Sequence, residues 1–212
     1  VLLFLYLHLE LNRTFRYLYD PMRLPVLTLL WLAACLYLLH EYLADRNKVL
    51  GGLLVAFVGG LLVKLFVFDL PSWALAPETL LYGGAYSFRD ASFRLLDFGV
   101  IIAFLVLAYR LIAGKGAGKD LAAGFGVVGL TLLFVYATLE VNTFLGVYVP
   151  GLRSGGISIL WSLFALGFIL AGILKDIRAL RYAGLLLFAV VAGKVFFVDL
   201  ARLEQIYRIV AF

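Results

Sequence analysis

The chain has 212 residues, of which 65% are hydrophobic and only 15% charged, and its mean hydropathy is +1.06. A soluble domain carries roughly a quarter charged residues, so water is excluded as the solvent for most of this surface. The net charge of +5 is spread between apolar stretches instead of gathering on one helix face, which argues against a nucleic-acid-binding patch. The single cysteine, Cys35, excludes an intramolecular disulfide and reads as small core filler.

Apolar runs and their polar punctuation predict seven helices, at about 1–17, 23–44, 48–70, 93–113, 120–147, 155–175 and 178–200, with an eighth beginning near Leu203. Leu121 to Leu139 and Ser154 to Leu174 contain no charge and match the ~20 residues that cross a bilayer. Hydrophobic segments recur up to Phe212, which a single secretory signal does not explain. The predicted fold class is an all-α polytopic transmembrane helix bundle of about seven spans plus a truncated eighth. The chain opens on Val1 within an apolar run and closes on Val210, Ala211 and Phe212 as another begins, so it reads as a piece of a longer protein.

Sliding the chain against itself by 130 residues places Tyr6, Glu10, Asn12, Arg23, Trp31, Lys64 and Asp69 on Tyr136, Glu140, Asn142, Arg153, Trp161, Lys194 and Asp199 without a gap. Leucines would match by accident in so apolar a chain, but two of three tryptophans and five ionisable or amide positions would not. With an insertion at 71–92, Phe93 to Leu96 also meet Tyr207 to Val210, so Arg94 corresponds to Arg208. The expected organisation is a four-helix repeat over 1–113, a basic glycine-rich turn at 114–119, and a second repeat over 120–212 with its fourth helix cut off. Four crossings return the chain to its starting side, which predicts parallel copies related by an axis along the membrane normal.

Parity then puts Glu10, Arg23, Asp69, Arg94, Glu140, Arg153, Asp199 and Arg208 at one membrane face. The opposite face carries as many basic residues, but packs them into three compact loops around Arg46, Lys115 and Arg178, which favours it as the cytoplasmic one. The matched polar positions are then extracytoplasmic, as is an interfacial loop holding Trp73, Tyr82 and Tyr86.

A lysine at the membrane centre costs ~3 kcal/mol even on a lenient scale, so Lys64 and Lys194 need a partner, water or a role, unless their stems snorkel to the headgroups. Five residues along an α-helix turn Lys64 and Asp69 roughly 140° apart, which argues against their pairing. Lys64 with Glu10 and Lys194 with Glu140 are the expected pairs instead. Asn12 and Asn142 are assigned to freed backbone at helix ends, and Trp31 and Trp161 to packing. The arginines are read as locks onto Asp69 or Asp199, or as anchors for a phosphate or carboxylate.

Several patterns fail on context. Gly124 to Gly129 spells a dinucleotide fingerprint, but inside a membrane helix with no preceding strand, so its glycines are assigned to helix packing. Gly114 to Lys119 resembles a phosphate loop, yet Asp120 stands where Ser or Thr would hold magnesium. His8 and His40 fall at opposite faces and are read as polar helix ends, not as one metal site.

The run from Arg181 to Phe188, followed by the closing stretch from Lys194 to Phe212 with its Lys-Val-Phe-Phe-Val-Asp-Leu opening, resembles the C-terminal part of the bacterial membrane proteins grouped as domain of unknown function 2339. Lys194, Asp199, Tyr207 and Arg208 fall where that family keeps the same residue types. The resemblance implies a bacterial inner-membrane protein and supplies no reaction. The functional expectation is a transporter-like protein or membrane scaffold with a polar Glu/Lys/Asp/Arg cluster at its extracytoplasmic helix ends. The alternative is a membrane enzyme acting on a lipid-linked or cell-envelope substrate, with Glu10, Asp69, Glu140 and Asp199 as its acids. No cofactor is expected. The expected partners are lipids, further helices of the same longer chain and other membrane subunits.

Overall fold

A computed structural model describes residues 2–84, 86–116, 118–174 and 176–199, with side chains up to Phe197. The chain divides into two compact units, Val1–Tyr136 and Ala137–Phe212. Eight α-helices are present among the described residues: α1 (Leu2–Leu18), α2 (Asp20–Asp45), α3 (Lys48–Val63), α4 (Leu70–Ser72), α5 (Phe88–Gly114), α6 (Lys119–Tyr148), α7 (Arg153–Leu174) and α8 (Arg178–Lys194). α3 reaches α4 through a π-helical turn, Lys64–Asp69, and α8 continues into a second one, Val195–Asp199.

Among the described residues, six helical stretches are long and apolar enough to cross a membrane: Asp20–Asp45, Lys48–Ser72, Phe88–Gly114, Lys119–Tyr148, Pro150–Leu174 and Arg178–Phe197. α1, with 17 residues, is about 26 Å long and falls short of the other six. The spanning helices leave large apolar side chains outward, among them Leu29, Leu53, Val63, Leu107, Ile159 and Leu166. Only hydrocarbon or further apolar helices can cover such a surface without cost.

Local sequence explains most boundaries. Asp20 and Pro21 open α2, where an acid favours the helix dipole and the missing proline N–H is an orphan anyway. That start is three residues ahead of the sequence reading. Arg46 ends α2 in the left-handed conformation, and the Asn47 side chain then accepts from the Val49 N–H to begin α3. Arg46 also donates to the Lys115 carbonyl at 2.7 Å, so the α2–α3 and α5–α6 turns meet.

The expected insertion differs in form. α5 starts at Phe88, five residues early, and a short hairpin pairs Leu75 with Tyr82 and Ala76 with Leu81. Tyr82 is buried beneath Arg94 and packs edge-on against Trp73, so it is not an exposed interfacial aromatic.

In the first unit α2 packs on α1, α3 and α5, around Cys35, Leu54, Leu61, Leu65, Phe98, Ile101 and Leu105. A Cβ on Gly60 would stand 2.7 Å from the Trp31 ring, so glycine there sets the approach of α3 to α2. Gly126 and Gly129 meet Tyr109 and Leu105 on α5, as expected for packing glycines, whereas Gly124 faces open space. In the second unit α7 and α8 approach so closely that a Cβ on Gly184 would lie 2.8 Å from the Ala165 carbonyl.

Candidate functional site

The polar site of the first unit begins with a backbone irregularity. In an α-helix Lys64 and Asp69 would point apart, but Lys64–Asp69 is a π-helical turn in which the Leu70 N–H reaches the Leu65 carbonyl, five residues back. Such a turn brings residue i+5 over residue i, and π-turns inside α-helices occur frequently at functional sites. Lys64 Nζ accordingly donates to Asp69 Oδ2 at 2.6 Å. This overturns the expected pairing of Lys64 with Glu10, which lies exposed on α1. Pro71 crowds the turn behind it, but position 201 is alanine beside the second π-turn. The Lys-x-x-x-x-Asp spacing is common to both.

Lys64 is 7% exposed and Asp69 is fully buried. The ammonium uses all three of its hydrogens, donating also to Thr28 Oγ1 at 2.8 Å and to the Leu24 carbonyl at 3.3 Å. A lysine held this way is saturated and has no donor left for a ligand. Asp69 is less complete. Its Oδ1 meets no nitrogen or hydroxyl donor, and the carboxyl faces that of Asp97 on α5, also fully buried, within hydrogen-bonding reach when either carries a proton. The Trp73 ring against Phe98 fixes α5 at this level. Arg94, one turn before Asp97, places its guanidinium 4.1 Å above the Tyr82 ring.

A cleft of about 550 Å³ opens on this pair. His8 and Asn12 of α1, Arg23 and Trp31 of α2, and Lys64, Asp69 and Ser72 line it, with Leu24, Leu27, Val63 and Phe68 as apolar wall. Three further polar atoms here are buried without a hydrogen-bond partner: His8 Nδ1, Arg23 Nε and Trp31 Nε1. Arg23 Nε nevertheless stands 3.4 Å from the exposed Asp20 carboxylate, outside hydrogen-bond geometry, so its ion partner is neither Asp69 nor another helix.

In the second unit Lys194 donates to the Ser154 carbonyl at 2.9 Å, to Ser154 Oγ and, at 2.6 Å, to Ser158 Oγ. Arg153 Nε donates to Asn142 Oδ1 at 2.8 Å, and Trp161 Nε1 to Thr138 Oγ1 at 3.1 Å. Asn142 thus holds an arginine instead of capping a helix end, because α6 runs on to Tyr148. α1 likewise continues past Asn12 to Leu18. Glu140 is half-buried on α6. The Asp199 side chain and Arg208 lie outside the described residues.

Sequence reasoning missed Thr28, Asp97 and the role of His8. An acid at 97, three residues after Arg94 in an apolar run, was a readable signal, since a charge inside a span is costly. Thr28 and His8 carried no such signal, because hydroxyls and imidazoles are tolerated at many helix positions.

Buried ionic and amide groups between apolar helices of spanning length define a polytopic α-helical membrane protein with a polar site inside its spans. Within that class, the chain belongs to the family described as predicted membrane protein (DUF2339), whose profile matches residues 1–212. No curated protein and no solved structure matches it.

Proposed function

We propose that the chain is a transporter-like inner-membrane protein built from two parallel copies of one four-helix unit, with its polar site at the extracytoplasmic helix ends. Four correspondences at a spacing of 130 residues support the duplication. α1 and α6 end at Leu18 and Tyr148, α3 and α8 begin at Lys48 and Arg178, and the π-turns end at Asp69 and Asp199. The lysine cradle follows the same spacing, Leu24 and Thr28 for Lys64 and Ser154 and Ser158 for Lys194.

The observation that carries the functional reading is the Lys64–Asp69 pair on a π-turn, buried within a span and opening on a polar cleft. Ionisable groups inside membrane helices cost several kcal/mol and mark substrate or ion pathways. A scaffold needs the pair only to hold helices together. The enzyme alternative draws on Asp97, a buried acid that faces Asp69.

Exchanging the pair, Lys64→Asp with Asp69→Lys, separates these readings in proteoliposomes made with the full-length chain. Folding restored with solute uptake lost supports a site. Folding and uptake both restored reduces the pair to architecture. A chain that moves no solute from a broad panel, yet hydrolyses or transfers a lipid-linked substrate in an Asp97-dependent way, favours the enzyme.

A further inference from the structure

The two units treat the same polar frame differently. In the second, the protein supplies an oxygen to each half-buried donor: Asn142 Oδ1 to Arg153 Nε, and Thr138 Oγ1 to Trp161 Nε1. In the first, the corresponding Trp31 Nε1 has no hydrogen-bond acceptor, and Arg23 Nε has only the exposed Asp20 carboxylate, 3.4 Å away and outside hydrogen-bond geometry. Position 8, equivalent to Thr138, is histidine, and its ring stands edge-on to Trp31 at 6.4 Å between centroids. Asn12, equivalent to Asn142, lines the cleft beside Arg23 without bonding its Nε. A buried donor left unpaired is costly, more so when it is charged. The second unit therefore carries a closed, self-satisfied frame, and the first carries the same frame open onto a cleft.

We infer that the first-unit cleft binds an amphiphile whose head presents an oxyanion to Arg23 and a second, neutral oxygen to Trp31. This deepens the reading of the cleft as the protein's site and rests on it. The second unit gives the ligand its dimensions. Its acceptors come from residues four apart on α6, whose backbone positions are about 6 Å apart along the helix axis. A guanidinium selects phosphate or carboxylate, whereas a lone indole N–H is satisfied by an ester, ether or hydroxyl oxygen. Lys64 takes no part in contact because its three hydrogens are used. Leu24, Leu27, Val63 and Phe68 provide the apolar wall along which a hydrocarbon portion lies.

A glycerophospholipid and a water-soluble organic phosphate share this head chemistry. The test measures binding to the full-length protein in detergent by native mass spectrometry and thermal shift. The probes are phosphatidylglycerol vesicles, phosphatidylethanolamine vesicles, glycerol 1-phosphate and inorganic phosphate. Phospholipid retained or stabilising only from vesicles identifies a lipid ligand, and stabilisation by glycerol 1-phosphate alone identifies a soluble one. Either supports the inference if Arg23→Ala and Trp31→Phe each weaken binding tenfold or more while Trp161→Phe leaves it unchanged. Trp31→Phe removes one N–H and keeps most of the ring, so it remains informative if Arg23→Ala does not fold. Binding that is equal in wild type and Trp31→Phe overturns the inference. So does equal loss in Trp161→Phe, or the absence of binding by all four probes. Failure of transport with binding intact counts against the transporter reading and leaves this inference standing.

Discussion

Replacing Lys64 by methionine keeps the length and apolar stem of the side chain and removes one charge from a buried pair. Asp69 is fully buried, and the 2.6 Å contact from Lys64 is its side chain's hydrogen bond. The substitution leaves a buried carboxylate without its cation, facing the carboxyl of Asp97. Removing one member of a buried pair typically costs about 3–5 kcal/mol, whereas replacing both by apolar residues is often neutral or better. Lys64→Met is therefore expected to lose about 3–5 kcal/mol, and Lys64→Met with Asp69→Leu to return to within about 1 kcal/mol of wild type. Asp69→Asn keeps an oxygen for Lys64, which also retains Thr28 and Leu24, and is expected to cost only about 1–2 kcal/mol. Reversible unfolding by SDS in mixed micelles, followed by circular dichroism, measures all three. A Lys64→Met protein as stable as wild type, or a double variant as weak as the single one, would refute the reasoning.

The contrast between the units predicts that Asn142→Ala, which strips an acceptor from Arg153, costs about 1.5–3 kcal/mol, and that Asn12→Ala costs clearly less; the same unfolding assay compares them. Gly60→Ala drives a methyl into Trp31 and is expected to destabilise by about 1–3 kcal/mol, while Gly59→Ala meets nothing within 4 Å and is tolerated, as thermal denaturation in detergent will show. Asp97→Asn offers an amide donor to Asp69 Oδ1 and is expected to raise stability by about 1 kcal/mol; a loss of stability counts against the facing of the two side chains. In a Cys35→Ala background, cysteines at Arg46 and Lys119 should react with an impermeant maleimide from the cytoplasmic side and one at Asp20 from the other; the reverse pattern inverts the assigned orientation.

Helix positions were largely legible because a bilayer leaves the sequence little freedom. Each segment must satisfy its own backbone and face hydrocarbon, so apolar runs and their polar ends give α3 and α8 their starts at Lys48 and Arg178 to the residue. The lysines and Asp69 stood out for the same reason, since charge inside such runs is costly. Their partners did not. The expectation that Lys64 and Asp69 point apart assumed 3.6 residues per turn throughout, and the π-turn alters that rule over six residues. Thr28 and Asp97 reach the site from other helices, and nothing local in their sequence says which neighbour they meet.

The sequence by itself determined the solvent, the helices and the buried charges, because hydropathy and spacing act within one segment and are additive along it. Only the tertiary structure decided which polar atoms find partners. Hydrogen bonding depends on ångström distances between helices, so Arg153 and Trp161 find Asn142 and Thr138 while Trp31 lines a cleft with no acceptor for its Nε1.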